Sequence, residues 1–255
     1  MKDKVALVMG GGAGTGRATA LAFARAGARV VVADIGEDGA RGTQAAIEQA
    51  GGEAVAVVAD MARAADIARA VDACQSAYGG LHLVSNNAAQ TAPNKPLTEL
   101  SEGDWDRCLG VTLKGVWLCM KYQLPLIEAS GGGAIVNIAS VSGIRGEVFQ
   151  SAYAAAKGGV ITLTKAAAAE YARRGVRVNT VCPGGIDTDG MRFYLKSMPH
   201  MREKTLNAHA MGRLAKPEEI ADAVVYLCSD QASFITGHDL VVDGGILVRS
   251  NVIDL

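Results

Sequence analysis

Short apolar runs alternate with helical patterns along most of this chain, and the early helical patterns each end at a glycine. The first run, 5–9, precedes a helical pattern that stops at Gly27, a residue type suited to a left-handed C-cap. Runs that are apolar at nearly every position predict strands covered on both faces. The pattern therefore predicts an α/β fold, a doubly wound parallel sheet with right-handed crossovers and helices on both faces. About seven strands are predicted, at residues 5–9, 29–33, 54–59, 81–85, 134–139, 176–182 and 239–242.

A single domain over residues 1–255 is the simplest organisation. Hydrophobic residues make up 49% of the chain, which is enough for one large core, and no linker or low-complexity segment interrupts the pattern. Residues 188–215 fit no strand and are rich in Met, Phe and Tyr. We interpret them as a lid that closes over a ligand, and call them the lid segment.

Charge and cysteine usage exclude several classes of function. The net charge is −1 and no basic stripe is present, so we expect no nucleic-acid partner. The five cysteines form no C-x-x-C pair, which argues against a zinc or other metal site and against a disulfide framework. No run approaches the ~18 apolar residues of a membrane span. We expect a cytoplasmic protein with a small-molecule substrate and no membrane partner.

Three glycines, Gly10, Gly14 and Gly16, lie between the first predicted strand and the first helix. Such a loop lets the backbone approach a pyrophosphate, and the helix N-terminus favours the anion. Their spacing is looser than the common dinucleotide fingerprint, so a turn packed for its own reasons remains an alternative. Asp34 ends the second strand, where a carboxylate bonds the ribose hydroxyls of NAD and repels the 2′-phosphate of NADP. The three glycines and Asp34 together predict a Rossmann-type domain that binds NAD. Arg17, close by on the first helix, keeps NADP as an alternative cofactor.

Tyr153 and Lys157 are four residues apart, which places both on one face of a helix. An ammonium close to a phenol favours the phenolate, and so we expect Lys157 to lower the pKa of Tyr153. A tyrosine of this kind gives or takes a proton at an alcohol or carbonyl oxygen. The same spacing is common on solvated helix faces, so the pair gains meaning only from the motifs around it.

Those motifs occur in the order typical of one family. They are the glycines at 10, 14 and 16, Asp60, Asn86-Asn87-Ala88-Ala89, the segment Ile135-Val-Asn-Ile-Ala-Ser140, the pair Tyr153 and Lys157, the segment Pro183-Gly-Gly-Ile-Asp-Thr188, and Val242-Asp-Gly-Gly245. Over essentially its whole length the chain resembles the short-chain dehydrogenases/reductases. The resemblance implies an NAD-dependent oxidoreductase that transfers a hydride between nicotinamide and a secondary alcohol or ketone.

The resemblance also assigns residues. Tyr153 is the implied general acid/base, Lys157 bonds the nicotinamide ribose, and Ser140 bonds the substrate oxygen. Thr112 completes the implied catalytic set in place of the usual Asn, whose backbone carbonyl holds a water of the proton relay, and we expect the relay to survive. The implied cofactor contacts are Gly10, Gly14, Thr15, Gly16, Asp34, Asp60, Met61, Asn87, Ala88, Ala89, Tyr153, Lys157, Pro183, Gly184, Ile186 and Thr188.

Two further positions depart from the family pattern, and a third has two interpretations. Met9 replaces the usual Thr before the first glycine, and Ala89 replaces the Gly usual after Asn-Asn-Ala. Asp60 is either a contact of the adenine amino group or an ordinary helix cap.

Apolar side chains in the lid segment predict a hydrophobic substrate, with packing of the lid itself as the alternative. Asn86-Asn87-Ala88-Ala89 and the segment 118–123 resemble family members that act on cyclic secondary alcohols and dihydrodiols, and this resemblance implies a cyclic substrate. The residues expected to contact it are Gln90, Ser142, Phe149, Gly185, Phe193 and Tyr194. Members of the family often assemble through the helices around 101–127 and 151–173 and the C-terminal strand, so a homotetramer is expected.

Other functions remain as alternatives. They are an NADP-dependent ketoreductase and a non-catalytic NAD-binding sensor. A sugar-nucleotide epimerase of the extended branch is disfavoured, because it needs a larger C-terminal domain than the residues after Pro183 supply. The enoyl-reducing branch is disfavoured because its Tyr and Lys are further apart.

Overall fold

Seven parallel strands form one sheet in the computed structural model, which describes residues 1–249. The strands are β1 (Val5–Met9), β2 (Arg29–Asp34), β3 (Ala54–Val58), β4 (Leu83–Asn86), β5 (Gly133–Ile138), β6 (Val176–Pro183) and β7 (Asp239–Val242). Their order in the sheet is β3-β2-β1-β4-β5-β6-β7, so the chain winds outward in both directions from the boundary between β1 and β4. The predicted doubly wound parallel sheet is confirmed. Residues 250–255 of the predicted domain lie outside the described residues.

Helices cover both faces of the sheet. They are α1 (Gly14–Arg25), α2 (Glu37–Gln49), α3 (Ala64–Tyr78), α4 (Glu102–Leu109), α5 (Gly115–Ala129), α6 (Ser151–Tyr171), α7 (Asp189–Ser197), α8 (His200–Asn207) and α9 (Pro217–Cys228). Side chains alternate along each strand, so Val8 of β1 joins Phe23 of α1 in one buried cluster while Leu7 joins Ile67 of α3 in the other. Burial on both faces explains why the strands are apolar at almost every position.

The glycine at the end of α3 behaves as predicted, and a serine caps the start of α4. Gly79 follows α3 with a φ of 79°, and its N–H donates to the carbonyl of Gln75. Ser101 caps α4, because its side-chain oxygen accepts from the N–H of Asp104 at 3.1 Å.

The helix predicted from 101 to 127 is confirmed, and it contains one irregular turn. α4 ends at Leu109, and Gly110–Lys114 forms a π-helical turn before α5 begins. In this turn the N–H of Gly115 donates to the carbonyl of Gly110, five residues back. Because a π turn is a short bulge inside a longer helix, the helical pattern continues on both sides of it. Thr112 lies at its centre.

The lid segment contains no strand, as predicted, but it does contain α7 and α8. The residues just before the lid segment pair with its last residue. Ile186 and Ala215 form an isolated parallel bridge, and the N–H of Asp187 donates to the carbonyl of Ala215 at 2.8 Å. Among residues 1–249, no helix combines the length and the apolar character required to cross a bilayer.

Candidate active site

The candidate site is a crevice at the carboxyl ends of β1 and β4, where the strand order reverses. Open parallel sheets bind ligands at this point, because the loops on either side diverge. The cavity has a volume of about 410 Å³. It brings together these predicted residues: Gly10, Thr15, Gly16, Asn87, Ala89, Ser140, Tyr153, Lys157, Pro183, Gly184, Ile186 and Thr188. Ala13, Ile138 and Ala139 also line it and were not predicted.

The glycine-rich loop packs too closely for side chains. A methyl group at Gly16 would lie 1.8 Å from the carbonyl oxygen of Gly10, so α1 can begin under the loop only with glycine there. Gly14 starts α1, and Thr15 follows at the edge of the cavity. Close backbone packing alone is enough to explain the glycine at position 16. The N-terminus of α1, which has no side-chain cap, faces the cavity, and its free N–H groups suit an anion.

Asp34 is held at the end of β2 by the backbone. Its Oδ2 accepts from the N–H of Gly12 at 2.8 Å and its Oδ1 accepts from the N–H of Gly36 at 2.9 Å. Each oxygen of a carboxylate has a second lone pair, so the group can still accept from the hydroxyls of a ribose. Within residues 1–249 no Lys or Arg forms an ion pair with Asp34, and its negative charge stays unneutralised.

Asn87 carries an unsatisfied polar atom. Its Nδ2 donates to the carbonyls of Met9 and Ser85, at 3.3 and 3.1 Å, while its Oδ1 is the one buried side-chain N or O atom in residues 1–249 with no partner. A buried acceptor without a donor costs free energy, so its place in the cavity wall points to a ligand that donates there. Asn87, the glycine loop and Asp34 therefore fit a nicotinamide dinucleotide.

The backbone of Met9 connects the end of β1 to the segment that follows β4. Its side chain is fully buried, and its carbonyl accepts from the backbone N–H of Asn87 at 2.9 Å. The loop after β1 is therefore tied to β4 without the Thr that the family usually has.

Five predicted cofactor residues do not belong to the cavity lining: Gly14, Asp34, Asp60, Met61 and Ala88. Met61 is 3% exposed and packs in the core, so only its backbone can face a ligand. Asp60 Oδ1 accepts from the N–H of Ala62 at 2.8 Å and holds a turn after β3. Ala88 packs directly against Gly10. The contact of Asp60 with adenine stays a prediction.

Lys157 is buried beneath Tyr153. Only 1% of Lys157 is exposed, and its Nζ donates to the carbonyl of Ile138 at the end of β5, at 2.5 Å. The same Nζ lies 5.6 Å from the centre of the Tyr153 ring. The four-residue spacing on α6 thus brings both groups to one cavity, as predicted.

The expected lowering of the Tyr153 pKa is not found. Burial raises the pKa of Tyr153 to about 12, against a smaller lowering by the hydrogen bond with Ser140. Burial also lowers the pKa of Lys157 to about 8. Desolvation disfavours the charged form of each group, and it is the largest cause of both pKa shifts. The phenol is therefore held protonated in the protein alone.

Ser140 is held against α6 by a close backbone contact. Ser140 caps the short turn Val141–Gly143, and its side-chain oxygen accepts from the N–H of Ser142 at 3.1 Å. A methyl group at Gly143 would lie 2.6 Å from the carbonyl carbon of Lys157, so glycine is required where the turn meets the helix. Gly143 was not predicted, although a glycine shortly after Ser140 was the available signal.

Thr112, predicted to be catalytic, lies behind the cavity rather than in its lining. It is fully buried in the π turn, and its hydroxyl bonds the backbone of Gln90. Gln90 itself is exposed and does not belong to the cavity lining.

None of the predicted substrate residues belongs to the cavity lining. Phe149 is 51% exposed and has a φ of 66°, a left-handed conformation that is strained for a bulky residue. Phe193 is 76% exposed on α7, and Tyr194 is half-buried beside it. Ser142 is buried and donates to Glu147, a residue that the sequence analysis did not name.

His209 anchors the lid segment, and the sequence analysis did not identify it. It is 2% exposed, and its Nε2 accepts from the N–H of Gly185 at 3.0 Å. Its Nδ1 lies 2.9 Å from the carbonyl of Thr205, which assigns the proton to Nδ1. A side chain at Gly185 would collide with His209, so Gly185 serves this packing. No sequence pattern distinguished His209 from the exposed His200.

Comparison with known proteins points to one family. A family model described as enoyl-(acyl carrier protein) reductase matches residues 10–247. The chain is 44% identical over 242 residues to the cyclohexanol dehydrogenase of Acinetobacter sp. (strain SE19), covering 95% of this chain and 94% of that protein. It is 40% identical over 249 residues to the short chain dehydrogenase/reductase astE of Aspergillus oryzae (strain ATCC 42149 / RIB 40), covering 96% and 95%.

Solved structures agree with this similarity. The crystal structure of levodione reductase superimposes with a TM-score of 0.93 at 34% sequence identity, covering 98% of this chain and 100% of that chain.

Proposed function

Because the chain belongs to the short-chain dehydrogenase/reductase family, whose members are oxidoreductases that use NAD or NADP, we propose that it is an NAD-dependent dehydrogenase of a cyclic secondary alcohol. One observation carries the proposal: Ser140, Tyr153 and Lys157 line a single cavity with the glycine loop and Asn87. The cyclohexanol dehydrogenase named above, acting on a cyclic secondary alcohol, supports the substrate class.

The chain offers defined contacts for the cofactor. The α1 end of the glycine loop would hold the pyrophosphate, and Asp34 would accept from the adenosine ribose hydroxyls. Asn87 Oδ1 would receive the donor it lacks. The bound nicotinamide supplies or accepts the hydride. Asp34 supports NAD over NADP, because its unneutralised charge repels a 2′-phosphate.

Tyr153 would move the proton at the substrate oxygen. The raised pKa keeps its phenol protonated near neutral pH, which suits donation to a carbonyl oxygen in reduction. In oxidation the phenol must first release its proton, and Lys157, with a pKa of about 8, is the adjacent group that changes charge in an accessible pH range. Ser140 would stabilise the developing charge on the substrate oxygen.

The lid segment and the helices support the remaining parts of the proposal. Exposed apolar side chains at Ile144, Phe149 and Phe193 suit a hydrophobic ligand, over which the lid segment would close. Trp105 and Trp117, on α4 and α5, are 38% and 44% exposed, as expected of surfaces that pack in a homotetramer.

A substrate screen tests the proposal. The purified protein is incubated with cyclohexanol, acyclic secondary alcohols, cyclohexanone and an enoyl thioester, each with NAD(H) and with NADP(H), and the absorbance of reduced nicotinamide is followed. Oxidation of cyclohexanol with NAD, lost in Tyr153→Phe by about 100-fold or more, is the expected result. Preference for NADP(H) and ketones indicates a ketoreductase, turnover of the enoyl thioester alone an enoyl reductase, and cofactor binding without any turnover a sensor.

A further inference from the structure

Three hydrogen-bonded side chains lead away from the reacting end of the cavity. Ser140 Oγ lies 3.2 Å from Ser142 Oγ, and Ser142 Oγ donates to Oε2 of Glu147 at 2.6 Å. The shorter distance is typical of a hydroxyl bonded to an ionised carboxylate. Glu147 is therefore two hydrogen bonds away from the hydroxyl that would contact the substrate oxygen.

The Glu147 carboxylate has acceptor capacity that the described residues do not use. An ionised carboxylate offers about four lone-pair sites, and Ser142 occupies one of them. Within residues 1–249 the one cation paired with it is Arg145, whose Nη2 is 4.0 Å from Oε1, too far for a hydrogen bond. Arg145 Nη1 donates instead to the carbonyl of Ile246 at 3.2 Å. The Glu147 side chain is only 29% exposed, so it is partly desolvated without a close ion pair.

Glu147 also acts on Tyr153. Burial is the main reason that the pKa of Tyr153 is raised, and the negative charge of Glu147 adds to it. The carboxylate is thus close enough to influence both Ser140 and Tyr153, the two groups that would hold the substrate oxygen.

We propose that Glu147 determines specificity by accepting a hydrogen bond from a second hydroxyl group of the substrate, a proposal that rests on the function proposed above. A ring with one hydroxyl fills the site but leaves the carboxylate acceptors without donors as water is excluded, which costs binding free energy. A ring diol supplies the missing donor two hydrogen bonds from Ser140. The protein therefore prefers cyclic diols to the matching mono-alcohols.

Ratios of kcat/KM test this proposal. The three positional isomers of cyclohexanediol and cyclohexanol are compared in the wild type and in Glu147→Gln, which keeps an acceptor oxygen for Ser142 but removes the charge. Because a hydrogen bond to a charged group accounts for about a tenfold or larger effect, the ratio of the best diol to cyclohexanol should fall by about tenfold. The control Glu128→Gln alters an exposed carboxylate paired with Arg174 and should keep the wild-type ratio. An unchanged ratio in Glu147→Gln overturns the proposal.

Binding separates this proposal from the proposed function. Calorimetry on Tyr153→Phe with saturating NAD measures the affinity for each alcohol without turnover. A diol preference that disappears in Tyr153→Phe/Glu147→Gln supports the role of Glu147 even where the wild type oxidises nothing. Equal or undetectable binding of diols and cyclohexanol to both variants overturns it, whereas absence of turnover alone contradicts only the proposed function.

Discussion

The hydroxyl of Thr112 and the backbone of Gln90 exchange two hydrogen bonds. Thr112 Oγ1 accepts from the N–H of Gln90 at 2.9 Å and donates to its carbonyl at 2.9 Å. A buried residue of the π turn thereby holds the loop after β4 whose first residues, Asn87 and Ala89, line the cavity. The side chain that replaces the family Asn therefore has a positioning role through this loop.

Removing this hydroxyl should loosen the loop. We expect Thr112→Val to lower the free energy of unfolding by about 1–2 kcal/mol and kcat/KM by about tenfold, because Asn87 and Ala89 are no longer held in place. Urea unfolding and steady-state kinetics measure both effects. The control Thr112→Ser keeps the hydroxyl and should stay close to the wild type. Thr112→Asn should change turnover only modestly, and a gain above about 100-fold would show that the relay is impaired in the natural protein.

The close contact at Gly143 should be sensitive to a single methyl group. Gly143→Ala places a methyl 2.6 Å from the carbonyl carbon of Lys157 and must push the turn of Ser140 away from α6. We expect a loss of about 1–3 kcal/mol in unfolding free energy and a clear fall in kcat. Gly146→Ala is the matched control, because nothing lies within 4 Å of the added methyl. Equal behaviour of the two variants would contradict the packing argument.

Lys157 should make stability depend on pH. Burial lowers its pKa to about 8 from a usual value of about 10.4, so between these values the unfolded chain binds more protons than the folded protein. The contribution of Lys157 to stability is therefore unfavourable below pH ~8 and improves as the pH rises. Lys157→Met should be more stable than the wild type at pH 7, by about 1–3 kcal/mol, with the gap closing towards pH ~10. Urea midpoints across this range measure the gap, and a constant gap would show that Lys157 titrates normally.

Asp34 should control the choice of cofactor. Asp34→Asn keeps an acceptor for one backbone N–H but removes the charge that would repel a 2′-phosphate. We expect the ratio of kcat/KM with NAD to that with NADP to fall by about tenfold. Asp38→Asn, at the exposed start of α2, is the control and should leave the ratio unchanged. A wild type that already prefers NADP would refute the role assigned to Asp34.

Patterns between neighbouring residues predicted much of this protein. The apolar runs predicted all seven strands, with β1 and β7 correct at both ends. The reason is clearest in β1, whose five residues are all buried, because a strand covered on both faces is apolar at nearly every position. The four-residue spacing of Tyr153 and Lys157 and the position of Ser140 predicted three residues that do share one cavity.

Packing between distant segments decided the pKa values in the site and the side-chain contacts that support it. Burial reversed the expected direction of the Tyr153 pKa, because desolvation depends on everything that surrounds a group and not on one neighbour along a helix. The bond from His209 to Gly185 and the chain from Ser140 to Glu147 join side chains through backbone turns whose geometry no residue spacing specifies. The sequence alone therefore determined which elements form and which candidate residues meet in the cavity, while the tertiary structure decided their charge states and the side chains that hold the site in place.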